Sequence, residues 1–306
     1  MSWPAVLGQW SFDPSIVIGV ILAAALYWRG QHGAVHVVAS RRVAARRWNA
    51  LAFYAGLGFV VLALESPIDV LSADLFTFHM VQHLLLIMVA APLLVLGDPS
   101  VTLLRGIPLS LRRRTLGRLA GNRGIRWLGH RLSWLIYPRT VFMIFLADLY
   151  LWHWSWLFNL TLQNNIVHLL EHICFLGTAL LFWSQVIDQR ALHPRLSYAQ
   201  RALYVVIVAA CSNVLAMYFV FTPKPLYTAY AHPLHRLYGM TPLGDQQIAG
   251  AVMWVPVLFL FGGAFAVCLY KALAQSERED IPVPVGGTPY SMLFMTGENG
   301  VIDSAH

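Results

Sequence analysis

A chain of 306 residues that is 58% hydrophobic and only 11% charged lacks the polar side chains needed to cover a water-facing surface, because ordinary globular domains are about 25% charged. A soluble domain is therefore excluded, and an integral membrane protein is expected. The net charge of +7 does not point to nucleic acid, because the basic residues fall in short loops between apolar runs, as membrane orientation requires.

A bilayer core takes about 20 apolar residues per helix, and seven segments meet that need. In chain order they are Pro14 to Trp28, Trp48 to Leu64, Leu75 to Leu96, Leu132 to Leu151, Ile166 to Ile187, Ala202 to Phe221 and Gln246 to Tyr270. The start, MSWPAVLGQWSFDPS, has no basic n-region, so no signal cleavage is expected. Arg29, Arg41, Arg42, Arg46 and Arg47 follow the first segment, eight arginines from Arg105 to Arg131 follow the third, and Arg190, Arg195 and Arg201 follow the fifth. The opposite loops hold only Lys224 and Arg236, with the acids Asp13, Glu65, Asp69 and Asp74. The positive-inside rule then puts the N-terminus outside and the C-terminus in the cytoplasm. The expected architecture is an all-α bundle of seven transmembrane helices forming one domain, 1–280, followed by a flexible cytoplasmic tail, 281–306. The loop from Arg105 to Arg131 reads as a basic amphipathic segment lying on anionic membrane lipids. Cys174, Cys211 and Cys268 all sit in apolar segments, which argues against a disulfide framework.

Chemistry gathers at one level. The third segment opens HMVQH and the fifth carries HLLEH, giving two histidine pairs four residues apart, His79/His83 and His168/His172. Residues at that spacing share a helix face, and both pairs lie near the outer end of segments that run in the same direction. His153, Glu171 and Asp245 fall at the same depth, with Met217 and Met253 nearby. Polar groups in hydrocarbon face the bundle interior and mark functional sites.

Several chemistries suit this set. Imidazole and thioether together favour copper, with His79, His83, His168 and His172 as ligands. In that reading Glu171 is an outer carboxylate or proton acceptor, and His153, Asp245, Met217 and Met253 are auxiliary candidates. HLLEH also matches the His-x-x-Glu-His pattern of a zinc hydrolase, although HMVQH repeats it with glutamine in place of the base. Haem held between histidines of two helices is a third reading. A proton relay is a fourth, kept open by Asp148 within the fourth segment.

The stretches HMVQHLLLIMVAAPLLVLGDP, NIVHLLEHICFLGTALLFW and DQQIAGAVMWVP resemble the three signature blocks of the CtaG-like cytochrome c oxidase assembly factors, the multi-span bacterial type and not the single-span copper chaperone. The resemblance runs from about Ala50 to Leu269. It implies a seven-helix protein of the bacterial plasma membrane, needed to form an active haem–copper oxidase and acting in copper delivery. Its partners would be oxidase subunits or other assembly factors, and it would be a metal-handling protein with no turnover of its own. The positions carried over are His79, His83, His168, Glu171, His172, Asp245 and Met253. Copper binding by these residues is inferred from their chemistry. WHWSW departs from the family pattern, in which a proline often follows the histidine, so the resemblance assigns no role to His153.

Overall fold

The computed structural model describes residues 8–32, 40–189, 194–230 and 239–279, and all regular elements among them are helical. The expected tail, 281–306, and Arg190 and Arg236 of the charge count lie outside the described residues.

The first helix, α1 (Pro14–His32), starts where Asp13 accepts the backbone N–H of Ser15 at 2.8 Å, an ordinary N-terminal cap. Then come α2 (Ser40–Glu65) and the short α3 (Pro67–Ser72), capped by Ser66. The next span is continuous but not uniform. It runs as α4 (Phe76–Leu84), a π-helical turn (Leu85–Ala90) and α5 (Ala91–Leu96).

The cause of the π turn can be read from its hydrogen bonds. Ala91 N–H reaches back five residues to Leu86 O, and the next residue, Pro92, has no N–H to offer Ile87 O. The Trp183 indole supplies it instead, at 2.9 Å. A backbone carbonyl freed inside a bilayer needs such a partner.

The polar connection forms α6 (Pro99–Gly106), α7 (Leu109–Gly121) and α8 (Arg123–Leu132). No residue of α8 is buried, and it carries Arg123, Arg126 and Arg131 beside the exposed Ile125, Trp127 and Leu128. The fourth apolar segment differs from the expected single span over Leu132 to Leu151. Tyr137 is extended and Pro138 begins α9 (Pro138–Trp152), so the chain bends by 71° between Ile136 and Pro138. A residue before proline is pushed out of the helical region, which explains the break.

The remaining helices are α10 (Ser155–Gln163), α11 (Asn165–Val186), α12 (Tyr198–Phe221) and α13 (Pro242–Glu279). Among the described residues, five helices are long and apolar enough to cross a membrane, or six if the bent pair counts as one. The first, α1, is not among the five. Its last turn carries Arg29, Gln31 and His32, which dilute a short apolar run. Expected and observed boundaries otherwise agree closely for the third, fifth and sixth segments.

The core lies between α4, α9, α10, α11, α12 and α13, around Phe76, Phe145, Phe158, Phe175, Phe182 and Phe219. A second, smaller core joins α1 and α2 to the π turn and α5. Outward-facing positions such as Ile18, Leu51, Met143, Ile173, Val214 and Phe259 are exposed and apolar, as lipid contact requires.

At the basic end, Asp188 ties α11 to α12 and α13. It accepts from Arg201 Nη1 at 2.6 Å, Lys271 Nζ at 2.9 Å and the Tyr198 hydroxyl at 2.9 Å. Partial burial raises its pKa, but these donors outweigh that and hold the carboxyl down at about 2.

Candidate metal centre

Two caps set the helices that carry the site. Asn164 Oδ1 accepts Ile166 N–H at 2.9 Å and Val167 N–H at 3.3 Å, which starts α11 one turn before His168. The N-cap residue of α4 is Leu75, which has no side-chain acceptor. Asp245 fills that role from the far end of the sequence. Its carboxylate accepts Phe76 N–H at 2.8 Å, Thr77 N–H at 3.0 Å and the Thr77 hydroxyl at 2.6 Å. The negative group also meets the positive end of the helix dipole.

With both helices fixed, the two histidine pairs meet. Ring centroids are 5.2 Å apart for His79 and His168 and 5.6 Å for His83 and His172, against 4.4 Å and 4.2 Å within the pairs. Glu171 stands between them, fully buried. Its Oε2 is 3.5 Å from His79 Nε2 and 3.7 Å from His83 Nε2. One donor atom each from His79, His83 and Glu171 lies within 4.8 Å of the others, and the same holds for His168, Glu171 and His172.

The hydrogen-bond ledger is unusual. The Tyr230 hydroxyl donates to Ser72 O at 2.7 Å and so receives the proton of His79 Nδ1, at 3.1 Å. In the neutral ring this leaves His79 Nε2 as a bare lone pair facing a carboxylate. Buried polar groups nearly always have partners. Among the described residues, seven of the ten buried, unpartnered side-chain atoms belong to this cluster: Nε2 of His79, both ring nitrogens of His83, Nε2 of His168 and of His172, and both oxygens of Glu171. Each neutral ring carries one N–H and one lone pair, so every histidine can turn a lone pair toward Glu171, and a cation can satisfy such converging donors. The Glu171 contacts at 3.5–3.7 Å are close to the tetrahedral edge of about 3.3 Å set by metal bonds of about 2 Å.

A cavity of about 420 Å³ adjoins the cluster at the end of the bundle where α1 and α11 begin. Asp13, Asp69, Asn165, His168 and His172 line it. Burial pushes the Asp69 carboxyl up, against the hydrogen bond from Gln82 Nε2 at 2.8 Å and reinforced by the charge of Glu65.

The other candidates fall elsewhere. His153 lies next to His83, with centroids 6.3 Å apart, and its Nε2 faces Met80 Sδ at 3.4 Å. Met253 lines a small cavity with them. Met217 is 40% exposed on the outer face of α12 and is not brought to the cluster. Asp148 accepts from the Thr178 hydroxyl at 2.7 Å and belongs to neither group of converging donors among the described residues. Sequence reasoning missed Tyr230. It sits in a short 3-10 turn (Thr228–Tyr230) between spans, where no periodicity singles out a residue.

The family described as cytochrome c oxidase caa3 assembly factor matches residues 25–275. An uncharacterized protein of Mycobacterium bovis and another of Mycobacterium tuberculosis are each 25% identical over 283 residues, covering 89% of this chain and 40% of their own length. An uncharacterized protein of Mycobacterium leprae is 24% identical over 286 residues, covering 90% of this chain and 40% of its own. The chain thus spans less than half the length of these relatives. No solved structure matches.

Proposed function

The chain belongs to the cytochrome c oxidase caa3 assembly factor family, and from that premise we propose that it binds copper in the membrane and hands it to the oxidase. The ligands in this reading are His79, His83, His168 and His172, with Glu171 shared between the two pairs. The observation that carries it is the concentration of buried, unpartnered nitrogen and oxygen atoms on these five side chains, of which all but the half-buried His168 are buried. A cation would satisfy all of them together, and imidazole with carboxylate accepts a first-row metal readily.

Seven spans, with the N-terminus outside, complete the reading. That count takes α1 and the bent α8–α9 pair as crossings, and the basic α7 and α8 then lie at the cytoplasmic surface. The histidine cluster opens through the cavity beside Asp13 and Asp69 toward the outer face. Copper here is cargo, and Tyr230 and Asp245 act by holding His79 and α4 in place.

Metal analysis of the purified full-length chain tests this. Copper should co-purify with the wild type and be lost from both His79→Ala/His83→Ala and His168→Ala/His172→Ala. One equivalent of zinc, lost only from the second variant, would instead support a hydrolase built on HLLEH. No metal in any folded form would leave a scaffolding role.

A further inference from the structure

A second constellation adjoins His83 without including Glu171. His153 ends α9, where its Nδ1 is 2.7 Å from Leu149 O. A carbonyl only accepts, so Nδ1 carries the proton and Nε2 of the neutral ring is a bare lone pair. That lone pair faces Met80 Sδ at 3.4 Å. Neither atom has a proton to share, so the contact is two donors converging and not a hydrogen bond. The backbone at this position has its own anchor, the Tyr227 hydroxyl donating to the His153 main-chain carbonyl at 2.8 Å.

Beside this pair is a small cavity of about 30 Å³, lined by Met80, Met88, Met253, His83 and His153 among apolar neighbours and Ser212. That is the room one water or one ion occupies. His83 is 3% exposed, and its Nδ1 has no partner. Metal–nitrogen and metal–sulfur bonds of about 2.0 and 2.3 Å would meet at roughly 104° across a 3.4 Å separation. This is close to a tetrahedral angle. Thioether sulfur with neutral imidazole, in a pocket without a carboxylate, selects a soft monovalent cation over a divalent one.

We infer that Met80, His153 and Met253, with His83 at the rim, form a separate site for a soft monovalent cation such as cuprous copper. It is chemically distinct from the Glu171 cluster, and its existence does not depend on that cluster holding metal. His83 would lie between the two.

Silver(I) is a redox-inert probe for such a site. Its binding would be measured on the full-length chain with Cys174, Cys211 and Cys268 replaced by alanine, since free thiols would compete. One silver equivalent is expected, bound at least tenfold more weakly in Met80→Leu/Met253→Leu, whose shape is nearly conserved. His168→Ala/His172→Ala should retain silver, provided it elutes as a folded monodisperse species. X-ray absorption on the silver-loaded protein gives a readout independent of any variant, and should show both sulfur and nitrogen neighbours. Absence of silver binding, undiminished binding in the leucine variant, equal loss in the histidine variant, or a spectrum without sulfur would each overturn the site.

Discussion

Asp245 is the residue whose role the fold changes most, and its replacement gives a sharp test. It lies 4% exposed on α13, yet its carboxylate caps α4, the helix that presents His79 and His83. In Asp245→Ala, two backbone N–H groups at the buried start of α4 lose their acceptor. Each orphan costs about 1 kcal/mol, the low end of the usual range, because the unfolded chain in a membrane also finds partners. The lost bond to the Thr77 hydroxyl adds about 0.6 kcal/mol. The expected destabilisation is therefore about 2–3 kcal/mol, with Asp245→Asn costing about half because one acceptor oxygen remains. Reversible unfolding in mixed micelles, followed by far-UV circular dichroism, measures both. Hydrogen exchange at Phe76 and Thr77 should quicken in the alanine variant. An Asp245→Ala chain within about 0.5 kcal/mol of wild type, with those amides still protected, would refute the capping argument.

Three further outcomes are expected. Asp188 has its pKa lowered from 3.8 to about 2, so its stabilisation is present above the unfolded value and is lost as pH falls through the folded one. The stability gap between wild type and Asp188→Asn, about 1 kcal/mol after solvent screening, should be constant above about pH 5 and close between about pH 4 and 2. A gap unchanged at low pH would contradict this. Tyr230→Phe removes the group that receives the His79 Nδ1 proton, and should weaken metal binding about tenfold while leaving the fold intact, as titration with a competing chelator would show. Finally, α1 and α6 cross where a methyl group on Gly30 would overlap Thr102 O and one on Gly106 would overlap Leu26 O. Backbone atoms cannot yield as side-chain tips do, so Gly30→Ala or Gly106→Ala should lower stability by at least about 2 kcal/mol in the same micelle assay.

Apolar length and the repeated His-x-x-(Gln/Glu)-His pattern were enough to place His79, His83, His168, Glu171 and His172 on matched helical faces. These signals are local, and the meeting of the two pairs is consistent with them. The break before Pro138 was also written in the chain, since proline disfavours a helical Tyr137, but the apolar run masked it. Glu171 was expected at the margin of a histidine site, and its position between the pairs follows from how α4 and α11 face one another. Spacing within one helix cannot report that. Asp245 lies 168 residues from Thr77 in sequence, so its cap depends wholly on the packing of α13 against α4. Tyr230 and the tautomer it imposes on His79 are invisible for the same reason. The outward position of Met217 shows the limit of depth as a guide, because depth along a helix says nothing about which face a side chain occupies.

The central claim is that the buried histidine–glutamate cluster carries copper destined for an oxidase. The most direct test is the copper-to-haem ratio of caa3-type oxidase purified from cells whose own copy of this protein is replaced by Glu171→Gln. The variant keeps shape and burial while removing the charge shared by both histidine pairs. The account expects normal membrane levels of the variant chain and an oxidase depleted of copper relative to haem. An oxidase with its full copper complement in those cells would contradict it.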